Sequence, residues 1–163
     1  MLNVRSSAVA LTLLAVTSGG EAAVPGPHSL LREIEAQGPH LVLGRLWSDR
    51  ATFEAVCGQI ETGDPRWLEV ARRLKVASDA ASSLSLNYAV ARAIPRAPER
   101  VLALIGNGFE IRDVCTSPFI EPERGIAENY QRRAIAALAR VADSRYVSAK
   151  SACLAEIGLP IRK

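Results

Sequence analysis

The stretch Asp79–Cys115 constrains the fold most, because it contains a long helix that is apolar over most of its circumference. Its first residue is a predicted N-cap, and Pro95 disfavours helical geometry in the residue before it, so the helix is predicted over residues 80–93. At 100° per residue its apolar side chains fall on opposite sides, and the polar strip is narrow and includes Ser82 and Arg92. A helix of this kind is buried and has neighbours on several sides.

A second apolar element follows this helix closely. It runs from Pro98 to Ile105 and stops at the loop Gly106–Gly108. The two elements together predict a buried helical hairpin, on which the amphipathic segments before and after it can dock.

Amphipathic helical patterns flank the hairpin on both sides. The strongest boundary is the turn before Pro65, where Gly63 ends one helix, Asp64 caps the next, and the proline takes the first helical position. No run alternates with period two over enough residues to predict a strand. The predicted fold is therefore all-α, an irregular, orthogonal bundle of about 7–8 helices in one domain.

The apolar stripes of these helices identify the candidate core residues. Leu41 is predicted to face inward from a helix over residues 39–47, and Ile126 from a helix over residues 123–142. A final helix, capped by Asp143, is predicted to bury Val147 and the residues that follow it at helical spacing.

The composition supports one packed domain without a strong charge. Of the 163 residues, 48% are apolar, which suffices for a core, and the net charge is only +3. The charges are mixed in sign along the chain, whereas a nucleic-acid footprint would require clustered basic residues. No nucleic-acid partner is predicted.

The N-terminus has the pattern of a secretory signal peptide over residues 1–22. Arg5 supplies the positive region, residues 8–16 supply the apolar region, and small residues precede the predicted cut. An apolar run of about ten residues is well short of the ~20 that span a bilayer, so no transmembrane anchor is predicted. A short tether over residues 23–27 and one domain over residues 28–163 are expected to reach the periplasm.

Three cysteines remain after the predicted leader, which allows one intramolecular disulfide and one free thiol. Cys115 and Cys153 are predicted to pair, since the first lies beside an irregular connector that can adjust and the second on a helix that must fold back. Cys57 lies in an apolar stripe and is predicted to pack as a small hydrophobic residue.

The patterns of known catalytic and metal sites are weak in this chain. Its two histidines, His28 and His40, lack further ligands at zinc-site spacing, and C-x-x-C, G-x-S-x-G and phosphate-loop patterns do not occur. The carboxylates Glu121, Glu123 and Glu128 could serve glycan hydrolysis, but acidic residues are equally expected where a helix starts. No catalytic, cofactor-binding or metal-binding residue is predicted.

Aromatic and apolar residues near arginines are typical of binding surfaces. Core packing of the aromatic rings is the alternative interpretation. The candidate interaction surface consists of Trp47, Trp67, Phe119, Ile120, Arg132 and Arg133.

The chain resembles a group of small, exported helical bacterial proteins of uncharacterised role. The resemblance covers most of the chain after the leader, and it implies export, helicity and the Cys115–Cys153 pair, with no catalytic residue. It rests on the segments Gly63–Leu68, Pro98–Leu102, Val114–Cys115, Ser117–Glu121 and Cys153–Leu154.

Three functional hypotheses follow from these features. The first is a periplasmic interaction or accessory module, of inhibitor or immunity type, that recognises another envelope or periplasmic protein. The second is an enzyme that acts on the cell envelope with dispersed carboxylates, and it requires a polar pocket that holds a carboxyl group of raised pKa. The third is association with anionic envelope components through Arg132, Arg133, Arg140 and Arg145. The oligomeric state is left open by all three.

Overall fold

The computed structural model describes residues 24–158, so the predicted signal peptide lies outside the described residues. Of the described residues, 70% are helical, and none forms a strand. The nine α-helices of this range are α1 (Pro27–Gln37), α2 (Pro39–Ser48), α3 (Arg50–Ile60), α4 (Pro65–Lys75), α5 (Ala80–Ala93), α6 (Pro98–Leu102), α7 (Ile111–Val114), α8 (Ile126–Ala139) and α9 (Val147–Ile157). A 3₁₀ turn, Ser144–Tyr146, precedes α9. The irregular multi-helix bundle predicted from the sequence is confirmed.

Helix α5 lies at the centre of the bundle, as its apolar circumference predicts. It packs against α3, α4, α6 and α7, and its bounds are those expected from the N-cap and the proline. Leu86, Val90 and Ala93 are fully buried in it. The long helix therefore organises the elements on both sides of it in the sequence.

The first turn of α5 departs from the predicted pattern. Ser82 was expected in the polar strip, yet it is buried, and Leu84 was expected on an apolar side, yet it is exposed. The reason is a capping box, in which Asp79 accepts from the Ser82 backbone N–H at 2.9 Å and the Ser82 hydroxyl accepts from the Asp79 N–H at 3.1 Å. A hydroxyl with these partners can be buried at little cost.

Several other predicted positions are wrong, and one of them has a clear local cause. Helix α8 begins at Ile126 rather than at residue 123, because Gly125 has a left-handed φ of 86° and ends the preceding turn. As a result Ile126 is 42% exposed, and Ala127 is buried instead. On α2, Leu41 is 67% exposed and Val42 takes its inward place. Val147, at the start of α9, is also exposed.

The disulfide between Cys115 and Cys153 joins the end of α7 to α9. The two Cα atoms are 5.1 Å apart and both side chains are fully buried. Among the described residues Cys57 is the free thiol, and it is only partly buried. The predicted pairing is confirmed, and the disulfide fixes one end of the connector that leads to α8.

A cluster of ion pairs on α4 ties that helix to α1. Glu69 accepts from Arg72 at 2.7 Å and from Arg73 at 2.8 Å, and Arg73 also reaches Glu35 of α1 at 3.1 Å. Hydrogen bonds from Arg72, opposed by partial burial and assisted by Arg73, lower the pKa of Glu69 from 4.5 to about 2. The carboxylate is therefore more stable in the folded chain than in the unfolded one.

We expect Glu69→Gln to change the pH dependence of stability. Because the folded pKa is depressed, the stabilisation is present above about pH 4.5 and is lost as the pH falls through the folded value near 2. The variant should be less stable than the wild type at neutral pH, by about 1 kcal/mol after solvent screening. Urea unfolding at several pH values should show that the difference in the free energy of unfolding between the two proteins disappears as the pH falls from neutral to 2. Glu54→Gln on α3, which removes an exposed carboxylate 3.5 Å from Arg50, is the control. A Glu69→Gln deficit that stays constant down to pH 2 would contradict this assignment.

Candidate functional site

A shallow groove of about 300 Å³ lies between the end of α5, the connector that follows Cys115, and the start of α8. Its floor is apolar and is formed by Pro95, Phe119, Ile126 and Tyr130. Polar side chains line the rest, namely Glu61, Arg92, Arg96, Asn129 and Arg133. The groove thus combines apolar contact area with several fixed charges, as ligand sites do.

The floor is built on two aromatic rings. Phe119 and Tyr130 pack edge to face, with ring centroids 5.6 Å apart. The Tyr130 hydroxyl donates to the Ala91 backbone oxygen of α5 at 2.8 Å, and burial raises the pKa of Tyr130 so that the hydroxyl stays a donor. This bond joins α8 to α5 below the groove and fixes the floor before any ligand arrives.

Arg92 closes one end of the groove and is held by three contacts. It donates to a Glu61 carboxylate oxygen at 2.7 Å and to the Pro118 backbone oxygen at 2.8 Å. Its guanidinium also lies over the Phe119 ring, 5.2 Å from the centroid. The charges of Arg92 and Glu61 compensate each other, and the pair ties the connector to α5 and to the residue after α3.

The arginines on the rim have no carboxylate partner among the described residues. Arg96 makes one long contact of 3.4 Å to the Glu61 backbone oxygen, and the guanidinium of Arg133 makes no hydrogen bond or ion pair with any described residue. Next to Arg133 on α8, Arg132 reaches the Asn129 amide oxygen at 3.4 Å, and Arg140, the C-cap of α8, donates to the Ala136 backbone oxygen at 3.0 Å. The rim is therefore positively charged.

Exposed apolar side chains lie beside this rim. Ile120 is 72% exposed and follows Phe119 directly, while Ile126 is the exposed first residue of α8. The connector turns at Glu121, whose φ of 44° is the one positive value at a described residue other than glycine. Ile126 thus lines the groove, Ile120 follows the lining residue Phe119 in sequence, and both side chains are exposed among the described residues.

No family model, curated protein or solved structure matches the chain. The resemblance noted from the sequence implies no activity. The chemistry of the groove is therefore the basis for a functional assignment.

Two of the six residues of the predicted interaction surface line the groove. Phe119 and Arg133 line the groove, and Ile120 and Arg132 adjoin them in sequence. Trp67 is 7% exposed and packs in the core, which removes it from the surface. Its place in the apolar stripe of α4 explains the burial.

Trp47 lies in a different place. Its ring packs edge to face on Phe53 at 5.0 Å, and the Arg50 guanidinium covers it at 4.1 Å. These contacts involve the first turn of α3, whereas Glu61 follows the last residue of the same helix. At 1.5 Å per residue, Phe53 and Glu61 are about 12 Å apart along the helix axis. Trp47 is therefore no part of the groove.

Sequence reasoning missed the residues that shape the groove most, namely Glu61, Arg92, Arg96 and Tyr130. Arg92 did carry a signal, because it belongs to the polar strip of a helix that is otherwise apolar. A buried helix holds such a side chain only where its charge finds partners. The identity of those partners, Glu61 and Pro118, depends on the tertiary fold.

A second polar cluster lies where α4, α5 and α7 meet. The Lys75 ammonium donates to the Ser83 hydroxyl at 2.5 Å and to the Asn87 amide oxygen at 2.6 Å, and it lies 3.5 Å from Asp113. The Asn87 amide nitrogen donates to Asp113 at 3.0 Å. A lysine beside a serine is the arrangement of some hydrolases, but there the amine must accept the serine proton. Here the lysine pairs with a carboxylate and acts as a donor, so the cluster links three helices.

The described residues include one free thiol and four carboxyl groups whose pKa values are shifted. Burial, with Glu61 adding to it, raises the pKa of the Cys57 thiol to about 12, which makes it a poor nucleophile. The carboxyl groups with shifted pKa values, on Asp49, Glu69, Asp79 and Asp143, are all shifted downward by hydrogen bonds. Within residues 24–158, no three metal-ligating side chains come together.

Among the described helices, none is both long and apolar enough to cross a bilayer.

Proposed function

We propose that the protein is an exported accessory protein, of inhibitor or immunity type, that acts in the periplasm by binding another protein. The observation that carries this proposal is the groove, in which the fixed rings of Phe119 and Tyr130 lie beside Arg96 and Arg133. Ile120, the residue after Phe119, is 72% exposed. Aromatic, apolar and arginine side chains grouped in this way are characteristic of interface centres. Export rests on the pattern of the first 22 residues.

The position of the partner can be tested by site-specific photocrosslinking in the native cells. A benzoylphenylalanine in place of Ile120 should yield one crosslinked protein of constant mass in the periplasmic fraction. The matched control is the same probe in place of Leu41, which is similarly exposed but lies on α2. We expect no equivalent product there, since α2 packs on α1, α3 and α4 and lies apart from the groove.

The two outcomes separate clearly. A single product at position 120 that is missing at position 41 supports a protein partner at this surface, and mass spectrometry then identifies it. If the exported protein gives no product at position 120, or the same mixture at both positions, the proposed function is wrong. The N-terminal residue of the periplasmic form, expected to be Ala23, checks export in the same sample.

A further inference from the structure

Resting on this function, we infer that the groove binds an acidic segment of the partner protein, with an apolar side chain seated on Phe119 and Tyr130. The carboxylates of that segment face Arg96 and Arg133 across the groove. The inference follows from how the charges of the groove are distributed and from how much of its shape is already fixed.

The lining of the groove contains more arginines than carboxylates, which favours an acidic partner. Glu61 is the acidic residue of the lining, and its carboxylate is already paired with Arg92 at 2.7 Å. Arg96 and Arg133 have no carboxylate partner among the described residues. A partner that carries carboxylates would complete the two open pairs, while a basic partner would meet like charge.

The basic face continues beyond the groove along α8. Ile126, Asn129, Arg133 and Arg140 share the exposed side of this helix, and Arg132 adjoins it. Arg133 and Arg140 are seven residues apart, which corresponds to two helical turns, or about 10 Å. This length fits a peptide segment with several carboxylates better than it fits a single small anion.

The floor of the groove favours an apolar side chain on the partner, in addition to the carboxylates that the arginines favour. Phe119 is held by Tyr130 and by the Arg92 guanidinium, and Tyr130 is held by its bond to Ala91. Because these rings are fixed in advance, a bound side chain does not have to order them. The volume of about 300 Å³ is at the lower limit of small-molecule sites, about 300–1,000 Å³, and the groove is open on one side. This shape fits a single apolar side chain that projects from the surface of a partner protein.

The test is the binding of a synthetic amphipathic peptide, measured by fluorescence anisotropy at low ionic strength. The probe is a fluorescein-labelled peptide with glutamates along one face and a central leucine pair. Two matched peptides replace either the glutamates by glutamine or the leucines by serine. We expect the acidic, leucine-containing peptide to bind, and both matched peptides to bind at least tenfold more weakly.

Protein variants locate the site. Arg96→Gln with Arg133→Gln should weaken binding roughly tenfold, since two solvent-screened pairs are each worth about 0.5–1 kcal/mol. The control, Arg32→Gln with Arg112→Gln, removes two exposed arginines on α1 and α7 and should leave the affinity unchanged. None of these four side chains holds a carboxylate among the described residues, so all variants should keep the wild-type melting temperature.

Each contrary result has a definite meaning. Equal binding of the glutamine peptide, or equal weakening in both double variants, overturns the acidic-segment assignment. The assignment also fails if phosphatidylglycerol vesicles bind through Arg96 and Arg133 while the peptide does not. If the crosslink at position 120 persists but the peptide fails to bind, the proposed function stands and this inference fails. Loss of the crosslink itself removes the proposed function.

Discussion

Replacing both cysteines of the disulfide, Cys115→Ala with Cys153→Ala, should lower the free energy of unfolding by about 4 kcal/mol and the melting temperature by about 10–15 °C. The disulfide closes a loop with a sequence separation of 38 residues, so its loss increases the conformational entropy of the unfolded chain. Alanine is the appropriate replacement, because both side chains are fully buried and a serine hydroxyl there would need a partner. Thermal and urea unfolding of the oxidised wild type and the double variant measure the change.

The matched control is Cys57→Ala, which removes the free and only partly buried thiol. It should cost about 1 kcal/mol, as for a small loss of apolar contact. The interpretation fails if the double variant is within about 1 kcal/mol of the wild type. It fails equally if peptide mapping under non-reducing conditions finds Cys57 in the linkage.

The disulfide also bears on the groove, because the connector that carries Phe119 and Ile120 starts at Cys115. Its other end is Gly125, just before α8. Between these ends the connector is held by Arg92, which bonds to Pro118 and stacks on Phe119. In the double variant we therefore expect faster amide hydrogen exchange over residues 116–125, even well below the melting temperature.

Elements fixed by local chemistry were predictable to the residue. Helix α5 starts after Asp79 and ends before Pro95 as expected, because an N-cap and a proline act within one turn. The α3–α4 boundary at Gly63 and Asp64 follows from the same kind of signal. The pairing of Cys115 with Cys153 was also predictable, because the first lies beside an irregular connector that can adjust and the second lies on a helix that must fold back on that region.

The groove was only partly predictable, because it depends on contacts between distant parts of the chain. Phe119 and Arg133 were predicted as an aromatic and a basic residue of a binding surface, but the floor also needs Tyr130, whose apolar spacing indicated only a core residue. Ile126 was assigned to the core by the same spacing, and the left-handed Gly125 displaced the helix start. Periodicity therefore gives only an approximate position for the buried face of a helix, and it cannot show which of the exposed residues will meet a neighbouring element.

The backbone of Gly63 lies very close to Ala97, and this contact gives the second large effect on stability that we predict. The residue has a φ of 75°, and a Cβ atom there would lie 2.5 Å from the Cβ of Ala97, the N-cap of α6. Arg100 also donates to the Gly63 backbone oxygen at 2.9 Å, so the turn cannot move away freely. Gly63→Ala should therefore lower the free energy of unfolding by about 2–4 kcal/mol, the sum of left-handed strain and overpacking.

Gly125→Ala separates these two contributions. Gly125 has a φ of 86°, but no atom lies within 4 Å of a Cβ placed there, so only strain of about 1–2 kcal/mol applies. Adding Ala97→Gly to Gly63→Ala should restore the steric part, since glycine is a better N-cap than alanine and removes the colliding methyl group. Urea unfolding of the wild type, Gly63→Ala, Ala97→Gly and the variant with both changes forms a double-mutant cycle. Equal losses for Gly63→Ala and Gly125→Ala, or no recovery on adding Ala97→Gly, would show that the close approach does not limit the fold. Gly63 lies two residues after Glu61, which pairs with Arg92 at one end of the groove. The expected recovery would therefore show that close packing constrains the chain at that end of the groove.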